Sequence, residues 1–117
     1  IDRGHAQLSA RLDALHPAVL RLIGSVAAAG EMKSREVAVC GGLASDPDAV
    51  AILVGLGIRE FSAVPGAIPA QKRILRGLDS GNCRELARRA MELEDASAVR
   101  ALVAGWPGAS QETEVQR

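Results

Sequence analysis

Two short apolar runs, EVAVC at residues 36–40 and EFSAV at residues 60–64, each break off at glycine or proline and give way to a helix-patterned segment. The first, short, β-branched and apolar, is that of a buried parallel strand, and the second reads as a further short strand. Parallel neighbours cannot be joined by a tight turn, so a crossover helix has to lie between them. The sequence between the runs supplies one: Ser45 or Asp46 stands as a cap, Pro47 at the first helical position, Asp48 near the positive end of the dipole, and the apolar segment ends at Gly55 or Gly57. After the second run Pro69 opens PAQKRILRGL, a further helix. Strand, loop and helix in that repeated order predict an α/β fold, either a doubly wound sheet or part of a (β/α) barrel.

The flanks read as helical. Val19, Leu20, Ile23, Val26 and Ala27 recur at helical spacing, with Pro17 in the first turn and Gly30 as the expected C-terminal cap, which predicts a helix over 17–29. Asn82 with Glu85 three residues on has the form of a capping box ahead of Leu86, Ala87, Ala90, Met91 and Leu93. Ser97 is the expected cap of a last short helix. The organisation predicted is a domain over 1–106 and a polar, flexible tail over 107–117. Two strands do not make a closed parallel sheet, so the chain reads as part of a larger architecture.

Composition narrows the function. The 117 residues carry 14 basic and 14 acidic side chains, interspersed, so no electrostatic footprint for nucleic acid or an anionic membrane exists. Phe61 and Trp106 are the aromatic residues, too few for a base-stacking platform. No apolar stretch reaches a membrane span and the first residues lack the pattern of a signal peptide, which predicts a cytoplasmic protein. Cys40 and Cys83 have neither a disulfide-framework count nor C-x-x-C metal spacing.

Cys40 stands where the first strand meets Gly41 and Gly42, at the strand end where parallel α/β folds bind ligands. Two readings fit it on spacing alone: a small buried hydrophobe at a strand end, or a thiol set beside an anion-binding loop. Asp46 and Asp48 read as helix-capping residues rather than metal ligands. His5 and His16 read as loop or capping residues, and Cys83 as packing.

The ordered set of motifs is more specific than any one of them. DRGH at the start, HPAVL, then VCGGLASDPDAVAILVGLGIREFSAVPGAIPAQKRIL and the CRELARRAMELEDASAVRALV tail resemble the C-terminal part of the phosphoenolpyruvate-utilising enzymes, most closely enzyme I of the bacterial sugar phosphotransferase system. The resemblance covers about residues 1–103. It implies the last strands of a phosphoenolpyruvate-binding (β/α)8 barrel, and phosphoryl transfer from phosphoenolpyruvate to a histidine on a separate upstream domain and on to an HPr-like carrier, releasing pyruvate. Cys40 inherits the role of the acid that protonates the enolate, and Arg3 that of a substrate contact. Gly41, Gly42 and Ser62 fall in the two strand-end motifs around the substrate. The family's magnesium ligands come from upstream strands, so magnesium is expected of a parent enzyme and not of these residues. An isolated chain is therefore expected to be inactive, and a homo-oligomer is expected. The chain departs from the family pattern at Gly42, where glutamate is usual, and at Val64, where serine is usual. The same cysteine motif occurs in pyruvate phosphate dikinase and phosphoenolpyruvate synthase, and a non-catalytic oligomerising module derived from the barrel is the alternative reading.

Overall fold

The structure is a computed structural model and describes residues 4–9 and 12–109. The expectations for Arg3 and for residues 110–117 lie outside the described residues. Among the described residues the elements follow in the order α1 (Ala6–Ser9), α2 (Pro17–Met32), β1 (Ala38–Cys40), α3 (Gly41–Ala44), α4 (Val50–Gly55), β2 (Glu60–Ser62), α5 (Ile68–Arg76), α6 (Ser80–Met91) and α7 (Ala96–Ala104), with a 3₁₀ turn over Pro65–Ala67.

The two strands pair in parallel, Ala38 opposite Glu60, Val39 opposite Phe61 and Cys40 opposite Ser62. Side chains on a strand alternate between faces. Val39 and Phe61 accordingly pack against the helical core, while Ala38, Cys40, Glu60 and Ser62 are exposed on the other face. The expectation of a sheet covered on both sides is thus half met: among the described residues helices cover one face and leave the other open.

The core lies between α2, α4, α6 and α7. Leu20 of α2, Ile52 and Leu53 of α4, Leu86 of α6 and Val99 and Val103 of α7 are fully buried, with Leu15 and Ile58 closing its ends. Helix α4 is apolar over its first four residues, all buried, so it serves as the central element and packs chiefly on α6. Close approach of these two helices needs a glycine. A Cβ at Gly55 would overlap the Cys83 carbonyl and crowd Ala87.

Several element ends differ from the sequence expectation, each for a physical reason. Gly30 does not end α2: the helix runs on to Met32, and Gly30 is buried where a Cβ would run into Val37 as the chain returns toward β1. Lys33 takes the cap, followed by Ser34 at φ 52°. The loop after β1 winds at once into α3, and α4 starts only at Val50. Asp46 therefore caps the intervening turn, its Oδ1 accepting from Asp48 N–H at 3.0 Å, and no side chain caps α4. At α6 the cap is Asp79, whose Oδ1 accepts from Asn82 N–H at 2.8 Å, so the Asn82–Glu85 capping box does not form. Asn82 instead turns to the C-terminal segment, accepting from the Trp106 indole at 3.1 Å and donating to the Pro107 carbonyl at 3.0 Å. Glu85 pairs with Arg88 and Arg89 on the surface. At α7 Asp95, not Ser97, is the cap, accepting from Ala98 N–H at 2.8 Å. His16 fulfils its capping expectation: its Nδ1 accepts from Ala18 N–H at the start of α2.

Candidate functional site

Parallel pairing in register sets the geometry of the strand ends. Cys40 and Ser62 are partners at the carboxyl end of the sheet, and both are exposed on the uncovered face. Exposure of Cys40 removes the reading of this thiol as a buried hydrophobe. It occupies the N-cap position of α3 with extended backbone, φ −128° and ψ −178°. Gly41 follows at φ 74°, a left-handed conformation that glycine enters without strain. This turn is what ends β1 and starts α3 one residue later. Gly42 differs from Gly41: its backbone makes no such demand, and a Cβ there would stand in open space. The structure therefore brings Cys40, Gly41, Gly42 and Ser62 to one end of the sheet. Cys83, by contrast, is buried in α6, and burial pushes its thiol pKa up.

The short helix α3 is fastened from three sides. The Ser45 hydroxyl accepts from Val64 N–H at 3.0 Å, which joins the loop after β1 to the loop after β2. Because this contact uses the Val64 backbone, the exposed Val64 side chain does not affect it. The Ala44 carbonyl accepts from Gln71 Nε2 at 2.7 Å, which joins α3 to α5. Third, Asp46 is held by Arg100 of α7 through Nη2 to Oδ2 at 2.8 Å.

Arg100 also holds Asp48 through Nη1 at 2.8 Å and grips Asp13 with Nε and Nη2 at 2.8 and 3.0 Å. Three carboxylates around one guanidinium account for the acidic residues of this loop. The centre of the cluster is already filled by a cation, so these carboxylates do not fit a metal ion. Among the described residues no group of three or more His, Cys, Asp or Glu side chains is placed to hold one. The Arg100 hydrogen bonds hold the Asp13 carboxyl below its ordinary pKa, against the opposing effect of its partial burial.

A concavity of about 510 Å³ lies at the opposite end of the strands, among Glu31, Arg35, Glu36, Arg59 and Glu60. Its charges alternate in sign, and it sits at the amino ends of β1 and β2, where parallel folds do not place their chemistry. The cysteine end is the better candidate.

Comparison with known proteins decides the family. Residues 1–80 match the sequence profile of the PEP-utilising enzyme, PEP-binding domain. The chain belongs to this family. It is 47% identical over 104 residues to a multiphosphoryl transfer protein of Xanthomonas campestris, covering 89% of this chain and 12% of that one. A multiphosphoryl transfer protein of Rhodobacter capsulatus is 45% identical over 102 residues, 87% of this chain and 12% of its own length. A phosphoenolpyruvate-dependent phosphotransferase system protein of Salmonella typhimurium is 37% identical over 106 residues, 91% of this chain and 14% of its own. The chain thus spans about one eighth of the length of these curated relatives.

Membership in the PEP-utilising family agrees with the mixed α/β structure and its two parallel strands. No helix among the described residues is long and apolar enough to cross a membrane. Sequence reasoning did not single out Gln71 and Arg100, and it offered Ser45 only as a helix cap, whereas its hydroxyl accepts from Val64 N–H. Gln71 left a signal, since it interrupts the apolar stripe formed by Ala67, Ala70, Ile74 and Leu78 at helical spacing. Arg100 left none, because its three partners are far away in sequence.

Proposed function

We propose that this chain supplies the final part of a phosphoenolpyruvate-binding (β/α)8 barrel in a phosphoenolpyruvate–protein phosphotransferase, with Cys40 as the acid that protonates the enolate. The observation that carries the reading is the register pairing of Cys40 with Ser62 at the carboxyl end of two parallel strands whose other face is uncovered. In a barrel, helices coat the outside of each strand and the remaining face looks inward, which is the asymmetry of β1 and β2.

The chemistry follows from phosphoryl transfer. Loss of the phosphoryl group from phosphoenolpyruvate leaves an enolate. Its methylene carbon takes the proton of Cys40, giving pyruvate and a thiolate, and the exposed thiolate regains a proton from solvent. Gly41 and Gly42 offer the ligand a bare backbone, Ser62 a hydroxyl on the same face, and Arg3 a cation to balance the developing charge. Magnesium neutralises phosphate charge in such reactions, and the proposal assigns its ligands to other parts of a parent enzyme. The phosphoryl group passes to a histidine of another domain and then to an HPr-like carrier in the cytoplasm. The isolated chain, lacking those parts, does not turn over.

A second reading, a non-catalytic oligomerising module, draws on one observation. Leu22, Val26 and Met32 of α2 are all more than half exposed on the side away from the core. In the first reading the same face belongs to a homo-oligomeric enzyme.

Protection of the thiol tests the substrate assignment. In the longest natural form of the protein with magnesium present, phosphoenolpyruvate at about ten times its Kd is expected to slow alkylation of Cys40 by about tenfold. Buried Cys83 should stay unreactive either way. An alkylation rate that ignores phosphoenolpyruvate would contradict the assignment.

A further inference from the structure

Among the described residues, Gln71 is the buried polar side chain, 6% exposed and set in the core-facing stripe of α5. Its Nε2 donates to the Ala44 carbonyl at 2.7 Å, twenty-seven residues away in sequence, while its Oε1 is buried without a hydrogen-bond partner. An unsatisfied buried acceptor carries a free-energy penalty, so an apolar side chain of similar volume would suit the fold of α5 better. What the amide gains is a grip on the last residue of α3, and α3 has Cys40 at its N-cap.

We infer that Gln71 is a positioning residue for Cys40, holding α3 in place from below while Ser45 holds it at the side through Val64 N–H. A four-residue helix makes too few internal hydrogen bonds to be stable by itself, so its orientation is set by such tethers. Together with the Arg100–Asp46 pair, these two tethers fix α3 relative to β2 and α5. The inference rests on the reading of Cys40 as the proton donor for its functional meaning, but the tethering itself stands apart from that reading.

The test uses Gln71→Met, which keeps the volume and removes the amide. The denaturant midpoint should change little, since the exchange removes the unpaired Oε1 and leaves the buried Ala44 carbonyl unpaired in its place, whereas amide hydrogen exchange at residues 43–46 should quicken by about fivefold, the factor expected for one lost hydrogen bond. Alkylation of Cys40 by iodoacetamide should quicken about threefold or more as the loop samples more conformations. Unchanged exchange and alkylation in a folded Gln71→Met chain would make Gln71 a packing residue and overturn the inference. So would a fall in stability that speeds exchange equally throughout α4 and α6. Ser45→Ala cuts a second tether at a half-buried site, and must raise the same two local signals even where Gln71→Met does not fold; their absence would also overturn it. In the longest natural form, Gln71→Met should lower kcat for pyruvate release with little change in KM. If Cys40→Ala leaves pyruvate release untouched there while the local signals still respond to Gln71→Met, the proton-donor reading fails and the tether survives.

Discussion

At the scale of single residues, the loop after β1 combines one conformational demand with one charge cluster. Gly41 is required by its positive φ, whereas Gly42 stands in open space, so the family's usual glutamate could be accommodated there without moving the backbone. Asp46 and Asp48 read as helix caps, but no side chain caps α4: Asp46 caps only the turn ahead of it, and Asp48 accepts from Arg100. Their shared partner was not legible, because Arg100 reaches them, and Asp13, only in the folded chain. Such a cluster has a definite pH signature. The folded-state pKa of Asp13 is depressed, so its contribution to stability is complete above the ordinary carboxylate range and is lost as pH falls through the depressed value. Arg100 and its partners are partly exposed, so Arg100→Leu should cost about 1–2 kcal/mol at neutral pH, between the values for surface and buried pairs. Denaturant midpoints measured from pH 6 down to pH 3 check the assignment. The unaltered chain should lose stability on acidification, and Arg100→Leu should give a flatter or reversed profile, since protonation then relieves repulsion among three unpaired carboxylates. The surface pairs of Glu85, whose pKa is lowered to about 2 by hydrogen bonds from Arg88 and Arg89, add little to stability because all three side chains are well exposed.

At the scale of elements, sequence patterning located the helices and strands far better than it located their ends. Periodicity reports which residues face the core, and that is a property of the middle of an element. Ends depend on which of several neighbouring cap-formers meets a free N–H. At 79–82 and 95–97 two candidates lie within three residues of each other, and in both cases the aspartate nearer the N-terminus wins. Helix α3 escaped sequence reading because GGLA has no helical periodicity, and glycine argues against helix. The α4–α6 contact depends on a single absent methyl group. Gly55→Ala would place that group against the Cys83 backbone, which cannot yield as a flexible side chain would. The substitution should lower stability by about 3 kcal/mol, at the upper end for overpacking, although alanine is the better helix former. A thermal or urea midpoint measured for Gly55→Ala checks this, and a stabilised variant would show that the two helices can separate freely.

At the scale of the whole molecule, the open face of the sheet is the feature that connects fold to function. Composition, the two βα units and the ordered motifs around Cys40 were enough to place the chain among the PEP-utilising enzymes, and the match over residues 1–80 bears that out. The site was legible to the extent that strand ends and glycines locate a loop. Its supports were not, because Gln71 and Arg100 act through contacts that close only when α5 and α7 pack, and Ser45 through one that closes only when the loops after β1 and β2 meet. Among the described residues helices lie on one side of β1 and β2 only, and Cys40 and Ser62 are exposed on the other, the face that the proposed barrel would turn inward. The central claim is that Cys40 gives its proton to the enolate, and the rate of pyruvate release from phosphoenolpyruvate in the longest natural form tests it most directly. Cys40→Ala should lower that rate by about a hundredfold or more, the usual weight of a general acid, without unfolding the protein. A Cys40→Ala enzyme that releases pyruvate as fast as the unaltered one would contradict the account.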